Sequence, residues 1–372
     1  MANTLKFGNG QWATKVGSTL AYNDEGGNFK PLPFNFTRST SATRVNKDGL
    51  IEVVTNNKPR IDFLNDSNGA LLLEPSRTNL ITYSEDFNNA VWNFKTNVNL
   101  QGGMLSPKGD LTAYKITATT TDSSFFGGFL NQNTDKYKSI WARTVSGSGK
   151  VNLLNVRTEG STDGLFNISE EWTRFEVLHN GADIFYGVDF RNSLSTLNEI
   201  IIWGAQLEVG SYATSYIPTQ GSAVTRVLEI SEIYNLDDYV SSETSWTATG
   251  EFIKGQDKDN SLYIFFAYHL ASSNLFRIRD FANYVSFYLF TPIQSNINYS
   301  SSLGDTIKWA IRAKSDGSYS VYVDGVSIAE TNGTFQKLDK YSINGSAKNK
   351  IKDLRVYNTA LTDAELSSLT TI

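Results

Sequence analysis

The sequence predicts an all-β protein: a short-stranded N-terminal region followed by two antiparallel β-sandwiches of jelly-roll type. Three observations predict it. Aromatic residues make up 13% of the chain, with 18 Tyr and 22 Phe, and these residue types suit a pleated, half-buried surface. Gly is frequent at 28 while Pro stands at 7, and Gly recurs with Asn, Asp and Ser between short apolar bursts, as turns recur between strands. Runs of Ala, Leu, Glu and Lys at helical spacing are scarce. At 372 residues the chain is longer than one core usually serves, so two or three domains are expected.

Residues 1–77 form the first texture. Between Phe36 and Asn79 the bursts Leu50–Ile51, Val53–Val54 and Leu71–Leu73 are too short for helices and are separated by the turn dipeptides Asp48-Gly49 and Asn68-Gly69. The same run carries Arg38, Arg44, Arg60 and Arg77 among Asp48, Glu52, Asp62 and Glu74. With so little apolar material the region is not expected to fold alone. Arg38, Arg44, Arg60, Glu74 and Arg77 are therefore read as oligomer or attachment contacts, because guanidinium forks hold carboxylates in fixed bidentate register. The alternative is a set of surface pairs worth little.

Residues 78–226 read as one sandwich. Its strands are expected at Ala113–Ile116, Lys138–Ala142, Val151–Val156, Thr173–Val177 and Ile184–Phe190, and the nearly unbroken apolar run Glu199–Glu208 should be central. Residues 227–372 read as a second. Strands are expected at Trp246–Phe252, Ser261–Tyr268, Leu275–Ile278, Tyr284–Thr291, Thr306–Ala313 and Ser318–Val323, the last closing on Val326–Ala329 through the hairpin dipeptide Asp324-Gly325. One helix is expected near the C-terminus, where Thr362 and Glu365 have capping-box spacing.

Three segments also carry resemblances. The run up to Asn79 resembles a segment of fibres and adhesins of tailed bacteriophages. Asn79-Leu80, Ser84-Glu85-Asp86-Phe87, Trp92, Trp172 and the block Trp203-Gly204-Ala205-Gln206-Leu207-Glu208 together resemble a carbohydrate-binding-module-like sandwich. The hairpin Ser318–Ala329 and the ending Lys350–Leu366 resemble laminin-G/concanavalin-A-like domains. These resemblances imply a virion fibre or appendage, made in the host cytoplasm and exposed on the particle. It would be a homotrimer mounted through 1–77 on other virion proteins, and would bind host cell-surface glycans multivalently. A non-binding decoration protein and a polysaccharide depolymerase are the alternatives.

Chemistry outside binding finds little footing. Cysteine is absent, which removes disulfides, thiolate nucleophiles and Cys-based zinc sites. A net charge of −5 with dispersed charges points to no nucleic-acid partner, and no apolar stretch is long enough for membrane insertion. The acidic clusters Glu170-Glu171 and Glu229/Glu232 with Asp237-Asp238 lack the paired spacing of a glycosidase. His179 and His269 have no nucleophile at motif spacing, so no enzyme is expected. No cofactor is expected either; the laminin-G likeness leaves calcium open at Gln256–Asn260, which otherwise reads as a polar turn. Glycan contacts need exposed rings near polar loops. Trp141, Trp172, Trp203, Trp246 and Trp309 fall in strand patterns and read as core. Phe125, Phe126, Tyr137, Tyr186, Tyr284 and Tyr299, near strand ends, are the candidate glycan-binding residues.

Overall fold

The computed structural model describes residues 4–8, 13–14, 19–23, 29–120, 124–129, 136–154, 164–179, 185–191, 195–233, 235–236, 243–255, 262–269, 273–290, 295–345 and 348–372. Antiparallel strands dominate, and one helix, Asp363–Thr370, follows the final strand. The chain divides into two compact units. The first joins 1–47, 53–76 and 227–372, and the second comprises 48–52 and 77–226.

The first unit is built on two sheets. One orders Val326–Asn332, Ser318–Val323, Thr306–Ala313, Trp246–Ile253, Asn349–Tyr357, Ala70–Leu73 and Arg60–Asp62, with Thr4–Gly8 also paired to Asn349–Tyr357. The other runs Ala13–Thr14, Thr19–Asn23, Phe29–Thr37, Ile230–Ile233, Lys340–Asn344, Leu262–His269, Ser273–Phe281, Tyr284–Leu289 and Ser295–Ser300. Phe36, Ile61, Leu71 and Leu73 join Trp246, Phe252, Phe276 and Trp309 in one core. The region read from sequence as a separate attachment or oligomerisation element instead contributes strands to both sheets of the C-terminal sandwich. The apolar bursts were too short to form a core of their own, and they complete another one.

Burying Arg38 and Arg60 changes their role. Glu229, on the segment where the chain returns to this unit, accepts Arg38 Nη1 at 2.6 Å, Arg60 Nε at 2.8 Å, a short contact from Arg60 Nη2, and the Glu74 backbone N–H at 2.9 Å. Arg60 Nη2 also reaches Glu74 Oε2 at 3.0 Å. Arg38 spends its other donors on the carbonyls of Thr40, Val54, Thr55 and Lys58. All four side chains have no solvent exposure. Two guanidinia and two carboxylates make the cluster neutral. Burial by itself would lower the Arg60 pKa, and Glu229 and Glu74 reverse this and raise it. Gly345 closes over the cluster, where a Cβ would lie 2.8 Å from the carbonyl oxygens of Glu229 and Glu74. Glycine is required there for close approach.

The second unit is a two-sheet sandwich. Phe94–Thr96, Phe125–Phe129, Phe185–Asp189, Gly149–Leu153 and Leu165–Ile168 form one sheet; Val98–Met104, Ala113–Ala118, Glu199–Val209, Lys136–Arg143 and Thr173–His179 form the other. Glu199–Val209 is central, as its apolar run predicts, and buried from Ile200 to Glu208. The strand expected over Val151–Val156 ends at Leu153, because Leu154 turns to φ 70°. The Asp324-Gly325 turn has φ 48° and 84°, the left-handed pair of a type I′ hairpin. Thr362 caps the helix and exchanges both capping-box bonds with Glu365.

Replacing Glu229 with Gln leaves two guanidinia facing one carboxylate in a dry site. Breaking a buried pair in this way costs roughly 3–5 kcal/mol. Urea denaturation of the full chain is expected to show a loss of that order, and a loss below about 1 kcal/mol would count against a structural role for the cluster.

Candidate functional site

The chain segments that open and close the second unit are locked together by buried amides and hydroxyls. Asn79 Nδ2 donates to the carbonyls of Ala205 at 3.1 Å and Ile217 at 2.8 Å, while its Oδ1 accepts the Ile81 and Leu207 N–H groups. Gln206 Oε1 accepts Ile217 N–H at 2.7 Å, and Glu208 takes both the N–H and the hydroxyl of Thr214. The Asn79 and Trp203–Glu208 motifs are therefore a latch. They fix residues 82–86 beside 216–220, where Tyr83 and Gln220 form a β-bridge.

Beside this latch lies a cleft of about 650 Å³ lined by Tyr83, Glu85, Asp86, Lys108, Tyr114 and Gln220, with Gly103, Leu111, Thr112, Pro218 and Thr219 completing it. Ser84 and Phe87 are buried while Glu85 and Asp86 face the cleft. Phe87 holds the edge of the Tyr114 ring at a centroid distance of 5.6 Å. A bulge between Gln101 and Met104 opens the adjacent strand, and Gly102 packs against the Tyr114 ring, 3.1 Å from where a Cβ would be.

The polar groups of the cleft are held in place by one another. Tyr216 donates to Glu85 Oε1 at 3.0 Å, Lys108 donates to Glu85 Oε2 at 3.2 Å, and Tyr114 donates to Asp86 Oδ1 at 3.3 Å. Lys108 also pairs with Asp110 at 3.0 Å and stands over the buried Trp203 ring. Burial works to lower the Lys108 pKa, and Asp110 and Glu85 outweigh it and raise it. Asp110 is itself held at about 2: burial opposes ionisation, but the Ser106 and Thr112 hydroxyls and Lys108 all stabilise the carboxylate. Burial, then Asp86, raise the Tyr114 phenol. The cleft therefore offers acceptors, donors and ring faces in a fixed array, with two carboxylates against one ammonium on its wall.

The sequence-predicted residues lie elsewhere. Phe126 and Tyr186 are fully buried, so they have no face to offer a sugar; both belong to the second unit's core. Phe125 is half-buried and covered by Arg191, whose guanidinium carbon is 4.5 Å from the ring centroid. Tyr137 is half-buried, and burial followed by Glu176 raises its pKa. Tyr299 packs against the first unit's core and donates to Asp324 at 2.7 Å. Tyr284 stacks on Phe281 at 4.4 Å. Arg38, Arg60 and Glu74 are consumed inside the chain and are corrected from interface contacts to core ties. Arg44 donates to the Ile61 carbonyl, and Arg77 lies over Tyr212. Trp141, Trp203, Trp246 and Trp309 are buried as expected, while Trp172 is half-buried under Arg143.

Of the acidic pairs considered, Glu170 caps the Gly147 N–H and Glu232 pairs with Lys340. Asp237-Asp238 and Gln256–Asn260 lie outside the described residues. His179 and His269 end strands in different units. The cleft residues escaped the sequence reading because no single stretch carries them. Glu85 and Asp86 were visible only as part of the Ser84–Phe87 motif.

No protein-family model matches the chain, and no curated protein matches it. Solved structures match it in part. The CBM40 module of the Ruminococcus gnavus IT-sialidase, bound to α2,3-sialyllactose, shares 15% identity over 35% of this chain and 83% of its own, with a TM-score of 0.29. A heptameric SAP-like pentraxin from Limulus polyphemus shares 17% over 34% and 71%, also at 0.29. The binding domain of botulinum neurotoxin DC in complex with SialylT shares 14% at 0.33, over 38% of this chain and 39% of that one.

Asp110 makes a prediction about pH. Its folded pKa lies below the unfolded value of roughly 3.9, so its contribution is complete above that value and lost as pH falls toward 2. Since the side chain is 42% exposed, solvent screening holds the contribution to about 1 kcal/mol or less. Asp110→Asn is expected to lower the melting temperature at pH 7, with the gap to wild type closing between pH 4 and 2. An equal gap at both ends of that range would refute the charge-based account.

Proposed function

We propose that this protein binds carbohydrate without turning it over, and that the Tyr83–Tyr114 cleft is its binding site. The observation that carries this is the composition of the cleft. Two half-exposed tyrosine rings stand beside oriented carboxylates, a lysine and a glutamine, the combination that receives the apolar face and the hydroxyls of a pyranose. Carboxylates outnumber cations on the wall, which favours neutral or amino sugars over acidic ones.

The wider role we propose is that of a virion fibre or appendage of a tailed phage, working as a homotrimer on host surface glycans. The likeness of the run up to Asn79 to fibres and adhesins of tailed phages supports it. Copies with weak individual sites would gain avidity by engaging one surface together.

Titration calorimetry with neutral and amino-sugar oligosaccharides from bacterial surface polysaccharides tests the site. Asp86→Asn and Tyr114→Ala are expected to weaken binding about tenfold each, the scale of one or two lost polar or stacking contacts. Unchanged affinity in the double variant, or steady release of reducing ends, would overturn the reading. The assembly is tested apart from the site: sedimentation of the full chain should give three times the monomer mass, and a stable folded monomer would exclude the trimer.

A further inference from the structure

The polar groups of the Tyr83–Tyr114 cleft are not all spent within the protein. Both oxygens of Glu85 are engaged, Oε1 by the Tyr216 hydroxyl at 3.0 Å and Oε2 by Lys108 at 3.2 Å. Asp86 is used on one side. Its Oδ1 accepts the Asn88 backbone N–H at 3.1 Å and the Tyr114 hydroxyl at 3.3 Å. Among the described residues nothing donates to its Oδ2 and no cation pairs with this exposed carboxylate. The lysines on the flanking segments turn elsewhere: Lys95 donates to the Asn88 carbonyl at 3.0 Å, and Lys108 is shared between Glu85 and Asp110. Glu85, Asp86 and Asp110 thus stand against one ammonium, which leaves this end of the cleft anionic.

Asp86 also has a defined place relative to the rings. Tyr114, held by the edge of Phe87 at 5.6 Å and by the close approach of Gly102, directs its hydroxyl to Asp86. The carboxylate therefore lies at the rim of the Tyr114 ring rather than over its face. A pyranose stacked on that face carries its equatorial substituents outward, nearly parallel to the aromatic plane and toward the rim. Among the described residues, the Tyr83 hydroxyl and the exposed Gln220 amide hydrogen-bond to no other protein group, so both remain for neutral hydroxyls of the same ligand.

We propose that the cleft selects a sugar with an unacetylated, equatorial amino group, whose ammonium meets Asp86 Oδ2 while its ring lies on Tyr114. The inference rests on the reading of the cleft as a carbohydrate site and narrows it to one class of sugar. A hydrogen bond from an ammonium to a carboxylate is about twice as strong as a neutral one. A hydroxyl in the same place makes the weaker bond, and an N-acetyl group brings bulk without charge. An acidic sugar sets like charge against the anionic wall, so the selection works by repulsion as well as attraction.

Calorimetry on the full chain at pH 6, where the ligand amine is protonated, compares three β1,4-linked tetrasaccharides that differ in one substituent: chitosan tetraose with the amine, chitin tetraose with the acetamide and cellotetraose with the hydroxyl. Spermine serves as a cation without a sugar ring. Wild type is expected to bind chitosan tetraose at least tenfold more tightly than either neutral ligand at 50 mM salt. That advantage should shrink as salt rises. Asp86→Asn keeps the side-chain volume and should bring the three affinities within a few-fold of one another, with the circular dichroism unchanged. Tyr114→Ala should weaken all three and leave spermine unaffected. Equal affinity for the three sugars, or a preference for the amine that survives Asp86→Asn, would overturn the inference and leave the cleft a carbohydrate site. Spermine displacing chitosan tetraose at equal concentration would overturn it too, by making the cleft a site for cations alone. Binding of none of the three overturns it as well, and takes the carbohydrate reading with it only where the bacterial-surface oligosaccharides also fail to bind.

Discussion

Glu229 is the constraint on which the first unit depends. A carboxylate taken out of water must find its donors inside the protein, and the cost of leaving it unpaired is several kcal/mol. Here the donors come from Arg38, Arg60 and the backbone of Glu74, which are 191, 169 and 155 residues away in sequence. The whole second unit is inserted between the two halves of this cluster in the chain. Neither Arg38 nor Arg60 meets its Glu229 carboxylate until both halves are in place. Gly345 enforces the same closeness from above, since its missing Cβ lets a third segment lie against the Glu74 and Glu229 carbonyls. Swapping the cluster for apolar groups of equal volume could leave stability unharmed. What the ions add is a particular register: a guanidinium bonded in four or five directions tolerates little displacement.

The second unit solves the matching problem, closing a sandwich whose first and last segments are distant in sequence, mainly with buried amides and hydroxyls, joined by the Glu208 carboxylate. Asn79 and Gln206 each donate and accept, so one amide can tie two strands and a loop. This latch fixes more than the fold. Tyr83, Glu85 and Asp86 follow directly from Asn79, and Pro218–Gln220 follow from the segment that Gln206 holds, so the cleft walls inherit their positions from buried hydrogen bonds. A site supported in this way keeps its geometry without ligand, which lowers the ordering cost of binding.

Several features were legible in the residues because their causes are local. The Thr362–Glu365 box, the Asp324-Gly325 turn and the central strand around Trp203 need only neighbours within a few positions, and all three are found as read. The candidate rings fared differently. In Phe125-Phe126 and Phe185-Tyr186 the alternation of a strand guarantees that one ring points in and one out, but with aromatics at both positions nothing local selects which. The interior took Phe126 and Tyr186. For Arg38, Arg60 and Glu74 the residue types were informative and the partner was not: forks that fix buried carboxylates were recognised, yet the carboxylate proved to be the chain's own Glu229.

By itself, the sequence determined the all-β class, the strand and turn punctuation, the capped helix at Asp363–Thr370 and the absence of thiols, since composition and short-range pattern are properties of neighbouring residues. Tertiary structure decided that 1–47 and 53–76 belong with the C-terminal sandwich, that Arg38 and Arg60 are core ties, and that the cleft draws on three separate stretches. It also decided which aromatic residues face water. Those outcomes turn on which distant strands pair, and pairing is set by the burial of whole faces and by the need of each buried charge for a partner, neither of which any short stretch of sequence contains.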